Sequence, residues 1–298
     1  MNERMSIGLI GLGNAGQALA KALCSDFQIY AYDLDAKRLD EASALGCNQA
    51  ISLIDVAINA EIIVLSLPTP AATKAVCQGL VETRLAGKLV IETSTVAPSD
   101  IEWMVDFLKP HGASVMDSAI VGGVQRLAKG ESTFLVGASE ADYERAEPVL
   151  STAADEIFRL GPAGSGMRAK LVNNAVAHTT MVVLLEGAAL ARKVGVPMDV
   201  YYSLMSRESG LMRPLTHRFG ERVKNQDFKA GMSTINASKD STLALDLAHE
   251  LGVPLFTMQA SHTVYDIAKA EGLGHLDYAS ISKLWERWLD IKMGYGDE

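Results

Sequence analysis

At 298 residues the chain has length for two domains of ~150 residues each, and its 48% apolar, 21% charged composition is that of a soluble globular protein with ample core material. A net charge of −9 argues against a nucleic-acid partner, which rewards a basic surface. Cys24, Cys47 and Cys77 are scattered without CxxC spacing and read as reduced thiols of a cytoplasmic protein; the six histidines are well separated, so no metal site is expected.

The opening residues Met1 to Arg4 carry no signal-peptide pattern, and a short apolar strand follows over 5–11. It runs into Gly11-Leu12-Gly13-Asn14-Ala15-Gly16, then a helical segment over 17–24 and a second strand over 28–33 that ends in Asp33. Strand, glycine turn, helix, strand and acid in this order form a dinucleotide-binding fingerprint. Gly11 permits the tight turn, Gly13 lets the backbone approach a pyrophosphate, and Gly16 lets the helix pack close to the strand. Asp33 suits the adenosine ribose hydroxyls and repels a 2′-phosphate, which favours NAD over NADP. Lys37 and Arg38 nearby weaken that preference.

Further strands are predicted over 62–67, 89–92, 114–117, 132–136 and 157–160, with helices between most of them. This alternation predicts a doubly wound, Rossmann-type parallel sheet covered on both faces. Ligands of such sheets sit at the carboxyl ends of strands, where Pro68, Ser94, Thr95 and Asp117 to Gly123 fall.

After Gly161 the pattern changes to helices only, predicted over 168–194, 199–206, 213–223, 238–251, 256–270 and 279–292, with Gly210 among the glycines that separate them. The chain therefore divides into an N-terminal dinucleotide-binding domain over 1–162 and a C-terminal all-α domain over 163–298. The first of these helices would be ~40 Å long at ~1.5 Å per residue. Its apolar run is interrupted by His178 and Glu186, so it reads as a helix buried between protein surfaces, with no membrane partner expected. Lys170 and Asn174 sit near its start, four residues apart and so on one face. Read alone, they are a proton carrier with a substrate anchor, or a solvated lysine with a helix cap. Arg213, His217 and Arg218, after the Ser209-Gly210 turn, read as a solvated face or as extra cationic contacts to substrate.

At this point the chain resembles the β-hydroxyacid dehydrogenase family, to which 3-hydroxyisobutyrate dehydrogenases belong. Four motifs carry the resemblance: Gly11 to Gly16; Asp117-Ser118-Ala119-Ile120-Val121-Gly122-Gly123; Gly164-x-Gly166-x-x-x-Lys170-x-x-Asn173-Asn174; and Lys239-Asp240. The resemblance implies a Rossmann-type domain and a helical domain joined by one long helix. It implies Lys170 as catalytic acid and base, and Asn174 holding the substrate. It further implies that Leu67 and Pro68 line the cofactor cleft and that Thr95 and Lys239 contact the nicotinamide ribose. Helix capping by Thr95 and simple exposure of Lys239 are the bland alternatives.

Two departures stand out. Val121 and Ala119 occupy the places of the family loop's serine and proline, and Ala15 replaces the usual methionine of the first turn. The missing serine leaves the Gly122 and Gly123 amides to hold an anion, and predicts a substrate bulkier or less polar than usual near Val121; the alternative is that Ser118 supplies the lost hydroxyl. The activity implied is hydride transfer between NAD and a 3-hydroxy acid or the matching aldehyde or ketone. A non-catalytic NAD-binding protein and an imine or ketone reductase are the rival readings. Family members being dimers or tetramers, a homodimer or homotetramer is expected.

Overall fold

The protein is described by a computed structural model over residues 4–207, 211–229 and 231–295. The opening residues Met1 to Glu3 and the expected Ser209-Gly210 turn lie outside the described residues. The chain divides into two compact units, Met1–Ala175 and Val176–Glu298.

The first unit alternates as the sequence predicts. Its elements are β1 (Ser6–Ile10), α1 (Asn14–Leu23), β2 (Gln28–Tyr32), α2 (Ala36–Ala44), β3 (Asn48–Gln49), α3 (Leu53–Asn59), β4 (Ile62–Leu65), α4 (Pro70–Leu80), β5 (Leu89–Glu92) and α5 (Pro98–Leu108). β6 (Ser114–Val121), α6 (Val124–Leu127), β7 (Ser132–Gly137), α7 (Glu140–Ala153) and β8 (Ala154–Arg159) complete it. The strands form one sheet in the order β3-β2-β1-β4-β5-β6-β7-β8. Strand order reverses between β1 and β4, and that switch point opens a crevice at the carboxyl ends.

β4 and β5 are buried along their whole length, as parallel strands covered on both faces must be. One face packs Ile7, Leu9, Ile29, Val64, Ile91 and Phe134 against apolar residues of α1 and α7. The other packs Ile10, Ile63, Leu65 and Val90 against Val56, Cys77 and Met104 of α3, α4 and α5. Each fully buried Leu or Ile contributes ~1.5–3 kcal/mol.

Two details depart from the predicted sheet. β3 is an exposed two-residue edge strand too short to leave a pattern. β6 does not stop at Asp117 but continues to Val121, because β7 pairs with it antiparallel from Asp117↔Gly137 to Val121↔Thr133. The parallel partner β5 ends at Glu92, opposite Asp117, so β7 alone supplies the ladder that carries β6 onward. The sheet is mixed, and most of the predicted substrate loop is strand.

α8 (Ser165–Lys193) begins in the first unit and continues in the second. It starts three residues before the predicted position, so Gly166 lies inside its first turn. The second unit continues with α9 (Met198–Met205), a π-helical stretch over Pro214–Val223, α10 (Thr234–Glu250) and α11 (Phe256–Ala270). A 3₁₀ turn (Tyr278–Ile281) leads into α12 (Ser282–Leu289), so the last predicted helix is two pieces. α10 starts at Thr234, four residues ahead of the predicted start, because the Ser233 side chain accepts from the Asn236 amide and caps it. Past Gly161 the described residues hold only an isolated bridge, Ser233 to Asp277, in keeping with an all-helical domain.

One expectation is corrected, and a second is not met by the single chain alone. Arg218 is neither solvated nor a free cation: it pairs with buried Asp277 at 3.3 Å, as does Arg222 at 3.5 Å. α8 is not buried by its own chain. Val176 is 64% and Leu185 57% exposed, and apolar side chains such as Val172, Met181 and Val182 are exposed around the helix. A helix apolar all round is a helix that something covers.

Candidate active site

The glycine turn after β1 and the turns after β2 and β4 enclose a cleft of about 770 Å3 within the first unit. Gly11, Gly13, Asn14, Ala15, Asp33, Leu67 and Pro68 line it, as the sequence predicts. Gly11 has φ +90°, and a Cβ on Gly16 would run into the Gly11 carbonyl, so both positions require glycine. Gly13 caps α1 without a side-chain hydrogen bond, which leaves the first amides of the helix to an anion. Nothing lies within 4 Å of where a Gly13 Cβ would stand, so this turn has room for a pyrophosphate.

Asp33 is more than a ribose acceptor. One carboxylate oxygen accepts the Leu12 amide at 2.6 Å and the other the Asp35 amide at 2.9 Å, so Asp33 also ties the glycine turn to the end of β2. Leu12 itself is buried and acts through its backbone. Arg38 lines the cleft too and lies 3.7 Å from Asp33 and 3.6 Å from Asp35, while Lys37 points to Glu41. The far wall is Ala72, Ala75 and Val76 of α4. Their spacing after Pro70 places them on one helix face, a signal present in the sequence that the motif reading passed over.

The second cluster lies at the end of β6, on the same carboxyl edge of the sheet as the cleft. Asp117 is fully buried, and its carboxylate accepts the Gly164 amide at 2.5 Å and the Met167 amide at 2.6 Å. It therefore caps α8 and fixes the helix start to β6. A Cβ on Gly166 would run into the Leu135 carbonyl and the Asp117 carboxylate, which is why glycine stands inside this turn. Burial raises the Asp117 pKa, and the two amide hydrogen bonds pull it back.

With its start so fixed, α8 brings Lys170 to β6, where Nζ donates to the Ile120 carbonyl at 2.6 Å. Burial lowers the Lys170 pKa from the ordinary lysine value. Asn174 follows one turn on, half-buried, and its Oδ1 accepts from the Asn173 side-chain Nδ2 at 3.4 Å. Val121 is half-buried at the end of β6; Gly122 and Gly123 are exposed, with φ of +113° and +82°. Thr95 is exposed on the turn after β5 and is not in the lining of the cleft. Lys239 belongs to the second unit, where it is exposed on α10 and pairs with Asp240 at 3.1 Å.

A family profile for the NAD-binding domain of 6-phosphogluconate dehydrogenase matches residues 6–161. A second, for the NAD-binding region of NADP-dependent 3-hydroxyisobutyrate dehydrogenase, matches 164–285. Among curated relatives, 2-(hydroxymethyl)glutarate dehydrogenase of Eubacterium barkeri is 29% identical over 99% of this chain and 100% of its own. The 3-sulfolactaldehyde reductase of Escherichia coli is 29% identical over 93% of this chain and 94% of its own. Among solved structures, an imine reductase from Pseudomonas sp. superposes with a TM-score of 0.86 at 21% identity, covering 95% of this chain and all of that one, a likeness of fold alone. The dinucleotide cleft and the lysine-bearing helix thus occur in the order that both profiles follow, and the chain belongs to the β-hydroxyacid dehydrogenase family of NAD(P)-dependent oxidoreductases.

Proposed function

We propose that the protein transfers a hydride between NAD and a 3-hydroxy acid, or the corresponding aldehyde or ketone, with Lys170 as general acid and base. The observation that carries this reading is the Lys170 amine, held at the Ile120 carbonyl on the carboxyl edge of the sheet that bears the cleft. A bound dinucleotide supplies the hydride acceptor or donor. In oxidation the neutral Lys170 amine takes the hydroxyl proton; in reduction its ammonium gives a proton to the carbonyl oxygen. Burial moves the lysine in the direction this exchange needs. Asn174, on the same helix face, orients the substrate, and the Gly122 and Gly123 amides receive its anion. Thr95 and Lys239 as nicotinamide-ribose contacts rest on the family resemblance.

NAD preference is supported by the Asp33 carboxylate in the cleft wall, with Asp35 beside it. The nearby Arg38 is already engaged by both acids. Val121 supports a substrate with a larger or less polar group than 3-hydroxyisobutyrate carries. One relative's substrate, 2-(hydroxymethyl)glutarate, is by its name a 3-hydroxy acid with such a larger substituent. The functional boundary is taken at 162/163, in the gap between profile matches over 6–161 and 164–285, ahead of the point where the compact units divide. The apolar surface of α8 supports a homodimer or homotetramer in which a second copy covers it, and the free cysteines fit a cytoplasmic protein. The test is the appearance or loss of reduced nicotinamide with a panel of 3-hydroxy acids and their aldehydes. No turnover of any 3-hydroxy acid, alongside turnover of cyclic imines, would replace this reading with the imine reductase one.

A further inference from the structure

Glu92 is a fully buried carboxylate at the end of β5, where an apolar residue would cost less. Its partners explain its presence. One oxygen accepts the Ser94 amide at 2.8 Å, and the other accepts the Thr73 hydroxyl at 2.9 Å. The Ser94 hydroxyl accepts the Leu67 amide at 2.7 Å, so the residue whose amide bonds Glu92 also holds the turn after β4. The Thr93 hydroxyl donates to the Leu65 carbonyl at 2.7 Å. Two segments therefore meet on this one side chain, the first turns of α4 and the turn over 93–95, and the turn over 66–68 joins them through Ser94. Ser66, Leu67 and Pro68 from the first and Ala72, Ala75 and Val76 from the second form a wall of the dinucleotide cleft.

We propose that Glu92 is a positioning residue for the dinucleotide: as a carboxylate it holds the 66–68 turn and α4 in the arrangement that binds the cofactor. The inference rests on the cleft being the dinucleotide site. A carboxylate accepts from all these donors at once, whereas a protonated carboxyl has to place its own O–H, so one of these bonds is reversed or released and the arrangement is altered. The titratable groups that face it are Cys77 of α4 and Asp117 of β6. The Cys77 thiol is pushed up to about 12 by burial and stays neutral, and the Asp117 carboxylate is taken up by Gly164 and Met167. Burial pushes Glu92 itself up to about 7, with the hydrogen bonds from Ser94, Thr73 and Thr93 opposing it. The switch between the two forms therefore falls near neutral pH.

The sign for folding is opposite to the sign for binding. A carboxyl whose pKa is raised by folding contributes stability that is present below its unfolded value and is lost as pH rises through about 7. Binding, in contrast, needs the carboxylate and strengthens over the same rise. Glu92→Gln resembles the protonated form and cannot titrate.

The experiment titrates NADH and NADPH into wild type, Glu92→Gln, Ser94→Ala and the double variant, with melting temperatures recorded in parallel. In acid, Glu92→Gln binds like wild type; above neutrality it binds about tenfold more weakly, the low end of coupling between linked sites. The melting temperature of Glu92→Gln rises relative to wild type over the same pH interval. Ser94→Ala weakens binding in the same sense, and the double variant is no worse than the poorer single one, because both act through one chain of hydrogen bonds. A binding ratio between wild type and Glu92→Gln that is flat across pH would overturn the proposal, as would strict additivity. Failure of wild type to bind either dinucleotide would overturn the cleft assignment and this inference together.

Discussion

Lys170→Met separates the proton-transfer role from everything else the lysine does. Methionine keeps most of the side-chain volume and removes the amine. The bond from Nζ to the Ile120 carbonyl is lost, but so is the cost of holding a half-buried charge. These oppose each other, so folding stability should change by about 1 kcal/mol or less. Turnover should not escape so lightly. General acid–base catalysis contributes ~10²–10⁴-fold, which is a barrier of about 2.7–5.4 kcal/mol at ~1.36 kcal/mol per tenfold. The assay is initial rate in both directions across pH, with NADH affinity measured by titration. In wild type the oxidation rate should rise with pH as Lys170 loses its proton, and the reduction rate should fall through the same pKa, which burial lowers from the usual lysine value. Lys170→Met should flatten both limbs, lower turnover at least a hundredfold, and leave NADH affinity within about threefold. Turnover within tenfold of wild type, or unchanged limbs in both directions, would refute Lys170 as the proton carrier.

Three further outcomes are expected. Asp33→Asn should weaken NADH binding and raise NADPH affinity relative to NADH; wild-type use of NADP equal to or better than NAD, in matched assays, would remove Asp33 as the discriminator. Val121→Ser should gain roughly ten- to a hundredfold in kcat/KM on 3-hydroxyisobutyrate and lose on larger 3-hydroxy acids, the worth of one charge-assisted hydrogen bond. No change in either class would show that Val121 only packs. Val176→Lys places a charge in the exposed apolar surface of α8 and should shift a dimer or tetramer toward monomer in light scattering, whereas a monomeric wild type would contradict the covering by a second copy.

The features legible in the sequence are those whose partners are close along the chain. The turn from Gly11 to Gly16 and Asp33 at the end of β2 fall within one βαβ unit, so spacing alone located them. Glu92 was visible as an acid closing an apolar strand, yet its function depends on Thr73 and, through Ser94, on Leu67, which only the folded sheet brings to it. The same holds for Asp117. Its capping of α8 reaches 47 and 50 residues ahead, to Gly164 and Met167, and no local pattern encodes that distance. Composition announced that α8 must be covered, but its own chain leaves it exposed, and one sequence does not say what lies opposite.

The extent of β6 decides the question left open around Val121. A loop running from Asp117 to Gly123 would let Ser118 turn its hydroxyl toward the place of the missing serine. A strand does not allow this, because successive side chains point to opposite faces. Asp117, Ala119 and Val121 face the side that packs Val90, Val115 and Met167, while Ser118 pairs in register with Val136 and is fully buried on the other side. Ser118 therefore cannot stand in for the lost hydroxyl. What remains beside Lys170 at the end of β6 is a valine followed by two glycines at positive φ, whose amides are the donors the proposed reaction would use for an anion. On the proposed reading, Val121 puts apolar surface where the family loop offers a side-chain hydrogen bond, with no hydroxyl from Ser118 to replace it, and the Val121→Ser comparison tests whether that exchange sets the choice of substrate.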